Sequence, residues 1–136
     1  AATVRVSSPA EVLRGTETVL LTEDEQDVRE VAREFLESAG YKVLQAPSGE
    51  AALKLAAEHA GGIDLLVTDM VMPGISGQEL ARRMHSNRKE LRVLYMSGYS
   101  EHAAEEAAKC EGSAVLAKPF SRSALLRTAR EVLQKT

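Results

Sequence analysis

Short apolar runs alternate along this chain with longer stretches whose apolar positions recur at helical spacing. The run Thr18 to Thr22 (TVLLT) is β-branched and leucine-rich between polar flanks, as a strand buried on both faces requires. Val28, Val31, Ala32, Phe35, Leu36 and Ala39 then follow a helical period, with Asp24 as the predicted N-cap and Gly40 as the stop. Tyr41 to Ala46 (YKVLQA) predicts a second strand, and Ser48 opens an alanine-rich helix to about His59, closed by Gly61 and Gly62. Ile63 to Thr68 (IDLLVT) is the third predicted strand. After Met72-Pro73-Gly74, Ser76 and Glu79 form a predicted capping box, each side chain meeting a free backbone N–H, at the start of a helix ending near Ser86. Leu91 to Met96 and Ala114 to Ala117 are the last two strands, followed by helices over Ser100 to Lys109 and Ser121 to Gln134.

Five strand-then-helix units predict an α/β fold: a parallel sheet with helices on both faces, joined by right-handed crossovers. Binding sites in such sheets form at the carboxyl ends of the strands, near the point where the strand order reverses. Residues 1–16 show no sustained period, and Ser7, Ser8, Pro9 and Gly15 punctuate them; they are predicted to be an arm or linker before a domain at 17–136.

Composition narrows the function. With 136 residues and 44% apolar content the chain suits one domain with a real core, and aromatics at 4% leave Ala, Val and Leu to fill it. A net charge of −3 argues against a nucleic-acid surface, which needs a basic stripe to neutralise phosphates. The single cysteine, Cys110, can form no internal disulfide, and low cysteine usage fits a cytoplasmic setting. No apolar run approaches the ~20 residues that span a bilayer, so no direct membrane contact is predicted.

The strand ends carry the candidate chemistry. Glu23 and Asp24 follow strand one and Asp69 follows strand three, so neighbouring strands would gather three carboxylates in one pocket. Their mutual repulsion is relieved by a hard divalent cation that prefers carboxylate, carbonyl and water oxygens. Ser97 and Lys118 end strands four and five, bringing a hydroxyl and an ammonium to the same rim. Metal and lysine together suit a carboxylate that accepts a phosphoryl group, with the hydroxyl hydrogen-bonding one of its oxygens. Taken singly, Asp24 reads as a helix cap, Lys118 as a surface lysine and Ser97 as a turn residue; their convergence on one sheet edge carries the argument.

The segments LLTEDE (20–25), VTDMVMPGISG (67–77), YMSGYS (95–100) and AKPF (117–120) resemble the response regulator receiver domain of bacterial two-component signalling. The resemblance covers roughly Glu17 to Lys135 and implies a flavodoxin-like (βα)5 fold, a five-stranded parallel sheet in the order 2-1-3-4-5 with five helices. It implies Asp69 as phosphoacceptor, Asp24 as direct metal ligand, Glu23 as the acid holding metal-bound water, and the backbone carbonyl of Val71 as a further ligand. Ser97 would be the switch hydroxyl and Lys118 the lysine that pairs with the phosphoryl group, with a cis bond between Lys118 and Pro119. The implied cofactor is Mg²⁺, with Mn²⁺ as an alternative. The implied partner is a histidine kinase or histidine phosphotransfer domain, and the implied output face is the fourth helix, fifth strand and last helix, through which a homodimer could also form.

The chain departs from the family pattern at Val115, where an aromatic switch often stands; Tyr99 could cover the site instead, although a plain surface tyrosine is the simpler reading. The alanine-rich fourth helix predicts a weakly packed, displaceable output face. Val71 and Tyr99 offer no obvious group to orient an attacking water, which predicts a long-lived acyl phosphate. His59, His85 and His102 are predicted to be plain surface residues, and Cys110 lacks the partner of a nucleophile. Two rival readings are a scaffold domain that is never phosphorylated and a phosphatase of the haloacid dehalogenase type. The latter needs an acid where Val71 stands. Thr3 to Pro9 and YMSGYS also resemble the junction preceding the C-terminal receiver of a hybrid sensor histidine kinase, with a free-standing single-domain regulator as the alternative origin.

Overall fold

The computed structural model describes residues 14–98 and 113–134. Five parallel strands, β1 (Thr18–Thr22), β2 (Lys42–Ala46), β3 (Leu65–Asp69), β4 (Arg92–Ser97) and β5 (Ser113–Ala117), form one sheet in the order β2-β1-β3-β4-β5. Four helices are described: α1 (Gln26–Ser38), α2 (Gly49–Glu58), α3 (Gly77–His85) and α4 (Arg122–Gln134). The parallel sheet is what the alternation predicts, and its order is the flavodoxin-like one that the family resemblance implies. The predicted helix over Ser100 to Lys109 lies outside the described residues, as do Tyr99, His102, Cys110 and residues 1–13 of the arm.

The pleat sorts the core into two layers, because successive strand residues face opposite sides. Val19, Leu21, Leu65, Val67, Leu94 and Met96 pack with Ala32 and Leu36 of α1 and with Leu125, Leu126, Ala129 and Val132 of α4. On the other face, Leu20, Leu66, Val93 and Tyr95 pack with Ala52 and Ala56 of α2 and with Leu80, Ala81 and Met84 of α3. All five residues of β3 are buried, which is why it reads as a continuous apolar run.

Local chemistry sets the element ends. The N–H of Gly40 donates to Glu37 O and that of Tyr41 to Leu36 O, a Schellman closure of α1 with Gly40 at φ +106°. At the other end of α1 the prediction fails: Glu25, not Asp24, is the N-cap, and no side chain caps the helix. Asp24 lies one residue too early and belongs to the acidic cluster described below. The capping box of α3 is half formed. Ser76 Oγ accepts from Glu79 N at 3.1 Å, but the Glu79 carboxylate is taken by Arg82 and Arg83. His85 is partly buried and bonds Leu91 O through Nε2 at 2.8 Å, so it is a structural residue rather than a plain surface one.

Candidate functional site

β1 and β3 are neighbours although β2 lies between them in sequence, so the chain leaves their carboxyl ends toward opposite faces of the sheet. A crevice opens there. Glu23 and Asp24 enter it directly after β1, and Asp69 enters as the last residue of β3. Their carboxylate oxygens lie within 4.8 Å of one another, with Glu23 and Asp69 buried and Asp24 exposed. Lys118, directly after β5, reaches across the sheet edge: its Nζ donates to Glu23 Oε1 at 3.2 Å and to Asp69 Oδ2 at 3.3 Å.

Ser97 ends β4, one residue beyond Met96, the register partner of Asp69. It is buried, and its carbonyl accepts from Lys118 N at 2.9 Å, joining the two strand ends. The Lys118–Pro119 bond is cis. Val71, two residues beyond Asp69, is 80% exposed, and Asp24 opens the cluster to solvent on its own side. Val115 is half-buried against the layer containing α2 and α3.

The electrostatics follow from crowding. Burial, aided by repulsion from Asp69, pushes the Glu23 carboxyl from 4.5 up to about 7, against the pull of the Glu25 N–H and of Lys118. Burial alone would depress the Lys118 ammonium, but the Asp69 and Glu23 carboxylates outweigh it and hold its pKa above the usual lysine value. Three carboxylates thus face one ammonium. The donor set is all hard oxygen, the charge balance lacks positive charge, and one side is open to water, which fits Mg²⁺ and equally Mn²⁺.

Three contributors to this geometry escape sequence reasoning. The Glu25 N–H donates to Glu23 Oε2 at 3.1 Å, and Arg29 Nη1 donates to Glu23 O at 2.7 Å. Gly77 starts α3 against the end of β3: a Cβ there would lie 2.2 Å from Asp69 O. Only an arginine in the first turn of a helix and a glycine after a turn mark these positions in the sequence.

The response regulator receiver domain family matches residues 19–130. The chain belongs to that family. Receiver-domain relatives agree with it. The chain is 38% identical over 124 residues to the sensor kinase CckA of Brucella abortus, covering 90% of this chain and 13% of that protein. It is 34% identical to the response regulator receiver protein CpdR of the same organism, covering 85% of this chain and 95% of CpdR. The solved receiver domain of the hybrid histidine kinase CckA superposes with a TM-score of 0.74 at 38% identity, covering 86% of this chain and 99% of that one. A putative response regulator from Chloroflexus aurantiacus superposes at 0.79 with 31% identity, covering 89% and 100%. As a receiver domain the chain is a signalling module of two-component systems. No helix among the described residues is long and apolar enough to cross a membrane.

Proposed function

We propose that this receiver domain takes a phosphoryl group onto Asp69 from the phosphohistidine of a histidine kinase or histidine phosphotransfer domain. The observation that carries the reading is the Lys118 ammonium shared between the buried Glu23 and Asp69 carboxylates at the mouth of the crevice. An Asp69 oxygen attacks phosphorus in line, a P–O bond forms, the P–N bond breaks, and the imidazole departs as the neutral base once protonated. Lys118 neutralises charge on the acceptor and on the incoming phosphoryl oxygens, and Ser97 supplies a hydroxyl to one of those oxygens. Glu23, Asp24, Asp69 and the carbonyl of Val71 would hold Mg²⁺, which when bound neutralises phosphoryl oxygens and orients them. Chemistry of this kind is positioning and charge neutralisation, so phosphorylation needs no further enzyme group from the domain.

A place for the partner lies beside Lys118. An open groove of about 480 Å³ is lined by Val28, Val31, Pro119 and Phe120 together with Lys118 itself. Phe120 is held edge-on against Phe35 of α1, with ring centroids 6.5 Å apart. An apolar groove that shares a residue with the acceptor site suits a partner that must bring its phosphohistidine close to Asp69.

The setting that fits this reading is the cytoplasm, where kinase domains meet ATP. A hybrid histidine kinase parent is in line with the CckA resemblance, and a free-standing regulator, the alternative, with that to CpdR. Output runs through the face containing β5 and α4, by switching or homodimerisation, and involves no nucleic acid. Intact-mass spectrometry after incubation with acetyl phosphate tests the acceptor. One phosphate should be gained with Mg²⁺ and none in chelator or in Asp69→Ala; phosphate gained by Asp69→Ala refutes the assignment.

A further inference from the structure

Arg29 stands in the first turns of α1, outside the cluster, yet it closes the turn that presents two of the acids. Its backbone N–H donates to Glu25 O at 2.9 Å, and its side-chain Nη1 donates to Glu23 O at 2.7 Å. The first is the ordinary opening bond of the helix; the second holds the carbonyl that directly precedes Asp24. Asp24 itself is exposed, and among the described residues no side chain holds its carboxylate. Glu23 is fixed elsewhere as well, with its N–H on Ala46 O at 3.2 Å and its carboxylate on Glu25 N and Lys118 Nζ. The placement of Asp24 therefore depends on the turn, and Arg29 is the side chain that holds the Glu23 carbonyl at its start.

We propose that Arg29 is a positioning residue for the divalent-cation site, holding the Glu23 to Glu25 turn so that Asp24 faces Asp69. The proposal rests on the reading that the acidic cluster takes Mg²⁺. Two physical effects of removing the guanidinium have opposite signs. Loss of a nearby positive charge draws a divalent cation in more strongly. Release of the turn leaves the Asp24 carboxylate to be ordered on binding, which weakens uptake; groups that orient metal ligands are worth about tenfold or more in affinity. The tether is a short charge-assisted bond to a carbonyl, with no carboxylate bonded to the guanidinium among the described residues, so the positioning effect is the larger.

Calorimetric titration of Mg²⁺ into the wild-type chain, Arg29→Gln and Arg29→Lys reads the sign. Glutamine keeps helical propensity but loses both charge and reach; lysine keeps charge and a donor. Arg29→Gln should bind Mg²⁺ about tenfold more weakly, and Arg29→Lys should recover most of the loss. In chelator, Arg29→Gln should also exchange the Glu25 amide faster, while its melting temperature stays near that of wild type. Equal or tighter Mg²⁺ binding by Arg29→Gln, with the wild type binding normally, overturns the role of Arg29 alone. A wild type that takes up no Mg²⁺ instead overturns the metal reading on which that role depends.

Discussion

In the absence of metal, the protein should become less stable as pH rises from 4.5 to 7. Glu23 has no exposed surface, and its carboxyl titrates near 7 in the fold against 4.5 in an unfolded chain. Between those values the folded state keeps a proton that the unfolded state has released, so each step upward in pH favours unfolding. The shift from 4.5 to about 7, at about 1.4 kcal/mol per pH unit, amounts to roughly 3 kcal/mol. For a chain of this size that lowers the melting temperature by on the order of 10 °C. Glu17 and Glu79 have lowered pKa values and work in the opposite direction. Their contribution is present above the unfolded value and is lost only as pH falls below this window. Urea unfolding followed by circular dichroism in chelator, across the window, measures the slope. The same series on Glu23→Gln subtracts every other titrating group. Saturating Mg²⁺ should abolish the decline, because the ion favours the ionised carboxylate. Stability in chelator that holds level or rises with pH, or an equal decline in Glu23→Gln, would show that Glu23 does not take up the proton.

Other consequences concern packing and turnover. Gly77→Ala drives a methyl into the Asp69 carbonyl and should cost about 1–3 kcal/mol in urea unfolding, with slower phosphorylation because the acceptor backbone must move. Arg130 pairs with Glu17 at 2.5 Å and donates to Tyr41 Oη and Arg14 O, fastening residues 14–17 to α4. Part of that pair meets solvent, so Arg130→Ala should cost only about 1–2 kcal/mol, and Glu17→Gln added to it should cost less than it does alone. Val71 has no polar group to orient water, so the acyl phosphate should persist, and Val71→Asn should speed its loss several-fold when phosphate release is followed over time; an unchanged rate contradicts this.

Strands buried on both faces are the most legible elements because their apolar runs carry no polar interruption: Leu65 to Val67 and Leu94 to Met96 lie in both core layers. The convergence of Glu23, Asp24, Asp69, Ser97 and Lys118 is legible because alternating strands and helices predict a parallel sheet, which puts all the strand ends that carry them on one edge. Errors arose where one residue type serves two purposes. An acid after a strand can cap a helix or join a charge cluster, and Asp24 does the second. A glutamate in the first turn can close a capping box or pair with arginines one turn on, and Glu79 does the second. Arg29 and Gly77 act through backbone carbonyls brought near by the fold, a kind of contact with no sequence signature.

An acyl phosphate on Asp69 can be trapped with borohydride. Reduction of that species converts an aspartyl phosphate to homoserine, and peptide mapping locates the product. After treatment with acetyl phosphate and Mg²⁺, homoserine should appear at position 69 and nowhere else. Homoserine at another carboxylate, or none while the protein carries phosphate, would contradict the account.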